Sequence, residues 1–392
     1  MFKVLTLNNI AVEGLRHLPR ERYEVASEIA HPDAILVRSH NMHDMDIPET
    51  VACVGRAGAG TNNIPCDELA HRGVPVFNAP GANANAVKEL AIAGMLLGAR
   101  NLANASEYVK TLDETGDALK KAVEAGKKQF VGFELPGKTL GVIGLGAIGV
   151  EVANAGLNLG MKVVGYDPAI TVRNAWQLSS GVEQEETLDQ LFMHADFVTC
   201  HVPLIDATRN IVNADRIGLM NDGAVLVNFA RGGVVDDDAA IAALDSGKLR
   251  AYVTDFPTPE LIAHPKVVAL PHLGASTGEA EENCAIMVAE NIKDYLENGN
   301  IRFSVNYPGA RLARLDAWRI TVANANVPNM VGQISTCIAE AGLNIEDLLN
   351  KSIGDLAYTI VDVNREPSEE LLSKLGSIDG VLALRNLGKP VT

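Results

Sequence analysis

The segment Leu140–Ala153, LGVIGLGAIGVEVA, contains the glycine spacing Gly144-x-Gly146-x-x-Gly149 between an apolar run and a helical pattern. In such a turn the first glycine permits the tight bend, the second lets a pyrophosphate approach the backbone, and the third lets helix and strand pack closely. Asp167 ends the next apolar run, where a carboxylate accepts hydrogen bonds from an adenosine ribose and disfavours a 2′-phosphate. The segment predicts a dinucleotide-binding domain that prefers NAD. An ordinary strand-to-helix turn without a cofactor is the alternative.

Composition restricts the class of protein further. The chain has 392 residues with 47% hydrophobic and 21% charged residues, which is typical of a globular protein of two or three domains. A net charge of −16 disfavours a nucleic-acid partner, so an anionic substrate needs a local basic pocket. The longest apolar helical stretch, Leu90–Ala99, is about half of the roughly 20 residues that cross a bilayer. We therefore expect no membrane partner and, since no signal-peptide core is evident, a cytoplasmic protein.

The five cysteines are scattered and have no CxxC spacing, so we expect neither a disulfide framework nor a metal site. Buried, reduced thiols are the expected state.

The pattern of apolar runs predicts an α/β chain with three parts. Residues 1–80 alternate short strands with helical patterns, and six further parallel strands follow from Lys138. A long helix over 277–299 is expected to return the chain to the first part, and after residue 317 the order βαββαβ indicates a ferredoxin-like unit. We predict a Rossmann-type domain inserted in a flavodoxin-like substrate domain, followed by the ferredoxin-like unit. The expected boundaries are 1–95 with 282–307 for substrate, 96–281 for NAD, 308–317 for a linker and 318–392 for the last unit.

Three residues of the inserted half suit the oxidation of an alcohol by hydride transfer, which needs a base, a cation that polarises the substrate and a group that orients the base. Arg231 follows the apolar run AVLVNFA, and His272 lies just beyond the last strand. Glu260 lies in the loop between them. Each alone has an ordinary structural explanation, a salt bridge, a packed histidine or a solvated carboxylate. Their positions after successive strands of one sheet favour a common site.

The chain resembles the D-isomer-specific 2-hydroxyacid dehydrogenase family over residues 1 to about 306. The resemblance depends on GLGAIG, YDP, HVPL, NFARGGVVDDDAA and PHLGAST. Together with VGRAGAGTNN and VPVFNAPGANANAVKELA, PHLGAST is most similar to members that oxidise 3-phospho-D-glycerate to 3-phosphohydroxypyruvate, the first step of L-serine biosynthesis. A homodimer or homotetramer is implied as well.

The resemblance implies a role for each matching residue. Arg231 would bind the substrate carboxylate and carbonyl oxygen, His272 would act as acid and base, and Glu260 would hydrogen-bond the histidine. Residues implied to bind NAD are Gly144, Gly146, Ala147, Ile148, Gly149, Asp167, His201, Val202, Pro203, Thr208, Phe229, Ala230, Arg231, Asp255, His272 and Gly274. Residues implied to bind substrate are Arg38, Ser39, Gly58, Ala59, Gly60, Lys127, Arg231 and His272, with Lys127 or Lys128 reaching the phosphate from a neighbouring subunit. Surface solvation is the alternative for these lysines, and relatives commonly have a proline directly after the glutamate, which this chain lacks.

The tail resembles an ACT domain, a small module that binds amino acids between paired copies. Asn326 and Asn344 match positions that bind serine in regulated members, which implies L-serine as an effector. Asn324 stands where some of those members have histidine, and Asn329 replaces the usual glycine after proline. A purely oligomerising unit is the alternative.

Two other functions stay open. One is oxidation of an unphosphorylated 2-hydroxy acid such as glycerate or lactate, by an enzyme that differs in the phosphate pocket. The other is a non-catalytic scaffold that senses NAD(H), against which the presence of Arg231, Glu260 and His272 argues.

Overall fold

The first five strands form a parallel sheet. The computed structural model describes residues 1–390, and the elements before residue 84 are β1 (Phe2–Leu7), α1 (Val12–Leu15), β2 (Tyr23–Ala26), β3 (Ala34–Val37), β4 (Cys53–Arg56), α2 (Cys66–His71) and β5 (Val76–Phe77). The strand order is β2-β1-β3-β4-β5, and every pair is parallel. This is the flavodoxin-like order, which confirms the predicted fold of this part.

The next segment contains a seven-stranded parallel sheet. Its elements are α3 (Ala84–Arg100), α4 (Leu102–Lys110), α5 (Gly116–Gly126), a 3-10 turn (Lys127–Phe130), β6 (Thr139–Ile143), α6 (Ala147–Asn158), β7 (Lys162–Tyr166), α7 (Val172–Gln177), β8 (Val182–Gln184), α8 (Leu188–His194), β9 (Phe197–Cys200), α9 (Ala214–Leu219), β10 (Ala224–Asn228), α10 (Asp237–Ser246), β11 (Leu249–Thr254), α11 (Pro259–Ala263) and β12 (Val267–Ala269). The strand order is β12-β11-β10-β9-β6-β7-β8. Strands β7 and β8 follow β6 on one side, and β9 to β12 follow on its other side, as in the predicted Rossmann-type fold.

The prediction of six strands in this sheet is wrong by one. The missed strand, β8, has three residues at the edge of the sheet, and none of them is buried. An edge strand with a single apolar residue leaves no alternating pattern to recognise.

A long helix and an antiparallel sheet complete the described chain: α12 (Gly278–Asn298), β13 (Trp318–Ala325), α13 (Met330–Glu340), β14 (Ile345–Ile353), β15 (Leu356–Val363), α14 (Glu369–Gly376) and β16 (Val381–Gly388). The sheet order is β14-β15-β13-β16, and each pair is antiparallel. The predicted βαββαβ order is therefore confirmed. No helix within residues 1–390 is long and apolar enough to span a membrane.

The chain divides into two units, one containing residues 1–83 with those from Gly278 onward, and the other Ala84–Thr277. The units change where α3 and α12 begin, whereas the boundaries expected from the sequence, 95/96 and 281/282, fall inside these two helices. The division of the chain into NAD-binding and substrate-binding parts stays a prediction.

Within the first unit, the C-terminal sheet shares a hydrophobic core with α12 and the first sheet. Buried Tyr358 and Ile360 of β15 pack in one cluster with Phe77, Tyr295 and Tyr307. The Tyr358 hydroxyl donates to the carbonyl of Gly299 at 2.8 Å. The tail is thus packed against the same unit that contains β1–β5.

Candidate active site

The predicted glycine turn joins β6 to α6. Gly144 has φ +88°, and a Cβ atom at Gly149 would lie 1.8 Å from the carbonyl oxygen of Gly144. Neither position accepts a side chain without rearrangement. A Cβ at Gly146 would meet nothing within 4 Å, so the backbone there faces open space in front of the helix N-terminus. This is the arrangement a pyrophosphate needs.

Asp167 closes the turn from the end of β7. One carboxylate oxygen accepts the amide of Leu145 at 2.8 Å, and the other accepts the amide of Ala169 at 2.8 Å. A carboxylate oxygen accepts more than one hydrogen bond, so Asp167 keeps capacity for ribose hydroxyls. The fixed negative charge also disfavours a 2′-phosphate.

The residues after β9 pass close to the glycine turn. A Cβ at Gly144 would lie 2.6 Å from the carbonyl oxygen of His201 and 2.7 Å from the side chain of Val202. Burial lowers the pKa of His201 to about 4, so its ring is neutral at pH 7, and its Nδ1 has no hydrogen-bond partner. Further along, the Thr208 hydroxyl donates to the carbonyl of Pro203 at 2.5 Å and orders this loop.

Asp255 lies at the end of β11 and is 1% exposed. Its Oδ2 accepts the amide of Gly274 at 3.0 Å, whereas its Oδ1 is buried without a partner. Burial raises the pKa of Asp255, and the Gly274 amide and the charge of His272 lower it. A buried acceptor without a donor is costly, so Oδ1 fits a donor supplied by a ligand, as the amide of a nicotinamide would supply.

Arg231 follows β10 in a turn that Asn228 holds in place. The Asn228 side chain donates to the carbonyl of Arg231 at 3.0 Å and accepts the amide of Ala230 at 3.1 Å. The guanidinium of Arg231 donates to the carbonyl of Ala230 at 2.6 Å, and within residues 1–390 no carboxylate pairs with it. An exposed guanidinium without a carboxylate partner is available to an anionic ligand. Sequence reasoning missed Asn228, although a polar residue ending a fully buried strand was a usable signal.

His272 lies in the turn after β12 and is exposed. Its φ is +41°, an uncommon conformation for a residue with a side chain, and its amide donates to the carbonyl of Asp255 at 3.0 Å. The ring of Phe256 packs on the imidazole with centroids 4.8 Å apart, and a Cβ at Gly232 would lie 3.6 Å from the Cβ of Phe256. The turns that contain Arg231, Asp255 and His272 therefore adjoin at the carboxyl ends of three neighbouring parallel strands.

Glu260 occupies the first turn of α11 and is exposed. Within the described residues, no hydrogen bond or ion pair joins it to His272. Glu260 instead lies near Asp237, whose pKa is raised by burial, by the adjacent carboxylates and by Glu260. Its pairing with His272 stays a prediction.

The loop of Gly58, Ala59 and Gly60 belongs to the first unit. The Asn78 side chain donates to the carbonyl of Ala59 at 2.6 Å, and the amide of Ala79 donates to the carbonyl of Gly58 at 2.9 Å. These two hydrogen bonds tie the loop to the segment that follows β5. Asn78 is a second positioning residue that sequence reasoning missed.

The basic residues expected to bind a phosphate lie in different surroundings. Arg38, at the end of β3, forms an ion pair with Glu281, and the amide of Ser39 donates to the side chain of Asn8 at 3.2 Å. Lys127 is exposed in the 3-10 turn and pairs with Glu124. Its predicted role in a neighbouring subunit stays a prediction.

The three asparagines of the tail are not equivalent. Asn324 is 1% exposed and its Oδ1 has no hydrogen-bond partner. Asn326 and Asn344 are exposed, and their side chains donate to the carbonyl of Gly354 at 3.0 Å and to Glu346 at 3.4 Å. Asn329 has φ +65°, which asparagine tolerates better than most residues and which explains why it can replace glycine there.

Comparison with known proteins identifies the family. The family described as "D-isomer specific 2-hydroxyacid dehydrogenase, NAD binding domain" matches residues 92–274. A D-3-phosphoglycerate dehydrogenase of Methanocaldococcus jannaschii is 36% identical, covering 87% of this chain but 63% of the relative, so the chain spans less than two thirds of that protein. The D-3-phosphoglycerate dehydrogenase of Haemophilus influenzae is 35% identical, and the match covers 87% of this chain and 82% of that protein. A hydroxypyruvate reductase of Thermotoga maritima is 40% identical, and the match covers 69% of this chain and 87% of that protein.

Among solved structures, the NAD+-bound 3-phosphoglycerate dehydrogenase of Entamoeba histolytica has a TM-score of 0.59 and 25% identity, with 78% of this chain and 98% of that chain covered. The chain belongs to the D-isomer-specific 2-hydroxyacid dehydrogenase family. It is an oxidoreductase whose cofactor is NAD, and the glycine turn, Asp167 and the free Oδ1 of Asp255 fit that cofactor. No group of three or more potential metal ligands occurs in residues 1–390.

Gly146→Ala is expected to weaken NADH binding by about tenfold, which is about 1.4 kcal/mol, because the new methyl group fills the space a pyrophosphate needs. The backbone of Gly146 has φ −70°, so the variant should fold normally. Titration of NADH fluorescence measures the dissociation constant. Gly218→Ala is the matched control, because its Cβ also meets nothing within 4 Å. Equal affinities for the two variants would contradict the assignment.

Proposed function

We propose that this protein oxidises 3-phospho-D-glycerate to 3-phosphohydroxypyruvate with NAD, the first step of L-serine biosynthesis. The observation that carries the proposal is the placement of an exposed guanidinium, Arg231, and an exposed imidazole, His272, on adjoining turns around Phe256. The choice of substrate is supported by relatives named D-3-phosphoglycerate dehydrogenase at 35–36% identity over 87% of this chain. In this proposal residues 96–281 bind NAD, residues 1–95 with 282–307 bind substrate, and the protein is a cytoplasmic homodimer or homotetramer.

The chemistry assigns one task to each residue. Bound NAD supplies the acceptor for the hydride that leaves C2 of the substrate. His272 accepts the proton of the C2 hydroxyl as the C–O bond becomes a carbonyl. Arg231 binds the carboxylate and donates to the C2 oxygen. Glu260 orients the imidazole, which requires α11 to bring its carboxylate within hydrogen-bond distance of His272.

The first unit is assigned further contacts to the substrate, one set shared with Arg231 at the carboxylate and one at the phosphate. The amides of the Gly58–Gly60 loop bind the carboxylate, and Arg38 with Ser39 binds the phosphate. Lys127 of a neighbouring subunit adds a positive charge at the phosphate. A charged group held by such donors contributes about 1.5–3 kcal/mol per hydrogen bond, so it discriminates strongly between phosphorylated and unphosphorylated acids.

A panel of 2-hydroxy acids with NAD tests the proposal. We expect kcat/KM for 3-phospho-D-glycerate to exceed that for glycerate and lactate by about ten- to a hundredfold, measured from NADH absorbance. A preference for glycerate would favour the second candidate, reduction of hydroxypyruvate. That candidate is favoured by the 40% identical relative and by the ion pair that already occupies Arg38. Absence of turnover with every acid, despite NADH binding, would indicate the non-catalytic scaffold.

The same assay with added L-serine tests the tail as an effector site formed by Asn324, Asn326 and Asn344. Inhibition that Asn326→Ala abolishes would support it. Inhibition that survives this substitution and Asn344→Ala would exclude it, and absence of inhibition would leave the tail an oligomerising unit.

A further inference from the structure

Glu281 places a carboxylate at the residue proposed to bind the substrate phosphate. It lies in the first turn of α12, and its Oε1 accepts a hydrogen bond from Nη2 of Arg38. The two residues are 243 positions apart in the sequence, so the contact is created by the fold. Both side chains are about 40% exposed, which leaves the pair accessible to a ligand.

A second arginine lies beside this pair. Nε of Arg56, at the end of β4, donates to the carbonyl of Arg38 at 3.1 Å. A Cβ atom built on Gly58 would lie 1.8 Å from Nη1 of Arg56, so the guanidinium lies directly over the Gly58 turn. Arg56 therefore connects the predicted carboxylate loop with the predicted phosphate residue.

The thiol of Cys284 lies within the electrostatic influence of Arg38, Arg56 and Glu281. Burial raises the pKa of its thiol, the charges of Arg56 and Arg38 lower it, and the charge of Glu281 raises it. Two guanidinium groups and one carboxylate therefore act on the same point beside the first two turns of α12, which leaves one positive charge in excess there. Such a point attracts an anion, and in the free protein that anion is Glu281.

We propose that Glu281 is an internal competitor for the anion subsite of Arg38 and so determines how strongly the enzyme favours a substrate with a second anionic group. The proposal rests on the proposed function. An exposed ion pair is weak, so a phosphate dianion displaces the Glu281 carboxylate at a modest cost in affinity. A substrate with a hydroxymethyl group at that position gains nothing from displacing it and leaves the pair intact.

The test compares Glu281→Gln with Glu279→Gln. Glutamine keeps an acceptor for Arg38 but removes the charge, and Glu279 lies in the same turn and forms no ion pair in the described structure. For 3-phospho-D-glycerate we expect Glu281→Gln to lower KM three- to tenfold with kcat within twofold of the wild type. KM for glycerate should stay within twofold in both variants, and Glu279→Gln should change neither KM by more than twofold.

A raised or unchanged KM for 3-phospho-D-glycerate in Glu281→Gln would overturn the proposal, since it would make Glu281 an organiser of Arg38 or a bystander. Calorimetric titration of the NADH-loaded protein with inorganic phosphate supplies a readout that does not need turnover. If the wild type oxidises glycerate but not 3-phospho-D-glycerate, the proposed function fails. The inference still stands if phosphate then binds at least threefold more tightly to Glu281→Gln than to the wild type, and it falls if the affinities are equal.

Discussion

Arg231→Ala is expected to lower kcat/KM for the 2-hydroxy acid by about a hundred- to a thousandfold, which corresponds to about 2.7–4 kcal/mol of transition-state stabilisation. The guanidinium is exposed, pairs with no carboxylate in the described residues and is held by the Asn228 turn. Replacing Arg231 by alanine therefore removes the cation that binds the substrate but keeps the backbone carbonyl through which Asn228 holds the turn. Initial rates of NADH formation give the ratio.

Two further variants make this result specific. Arg231→Lys keeps the charge but loses the planar pair of donors, so it should recover only part of the activity. Arg173→Ala removes an exposed arginine of α7 in the same unit and should leave kcat/KM unchanged within twofold. An Arg231→Ala enzyme as active as the wild type would exclude Arg231 from the reaction.

The parts of the site that could be predicted are those determined by neighbours in the sequence or by the parallel sheet. The glycine turn and Asp167 form a local motif, because the backbone conformation at Gly144 and the crowding at Gly149 require glycine. Arg231 and His272 could be placed on adjoining turns because the carboxyl ends of parallel strands meet at one edge.

The parts that were missed depend on contacts between distant segments. Asn78 supports Ala59 from 19 residues away, and Glu281 reaches Arg38 from 243 residues away. Neither residue lies in a local pattern that distinguishes it from other polar residues. The position of Glu260 was equally undetermined, since a five-residue helix can direct a carboxylate to either side of a turn, and here it lies near Asp237.

The attachment of the tail to the first unit could not be predicted from the sequence either, because it depends on a buried ion pair. Arg319 of β13 is 0% exposed and donates to both oxygens of Asp362 on β15, at 2.6 and 2.7 Å. The same guanidinium donates to the carbonyls of Asn298, Leu312 and Ala313 at 2.8–3.0 Å. One side chain therefore joins the sheet of the tail, the end of α12 and the segment predicted as a linker.

Arg319→Met is expected to destabilise the first unit by about 3–5 kcal/mol, because the buried carboxylate of Asp362 loses its partner and three carbonyls lose their donor. Since the chain has two units, hydrogen exchange is the appropriate measurement: protection should fall in β13, β15 and the last turns of α12, and should not change in Ala84–Thr277. Arg319→Met combined with Asp362→Asn should recover part of the loss, since it removes the unpaired charge but leaves the three carbonyls unsatisfied.

Arg311→Met, which removes an exposed arginine of the same segment, is the control and should resemble the wild type. If Arg319→Met retained wild-type protection, the ion pair would not hold the tail to α12. The hydrophobic cluster that Tyr358 and Ile360 share with Tyr295 would then have to account for the attachment alone.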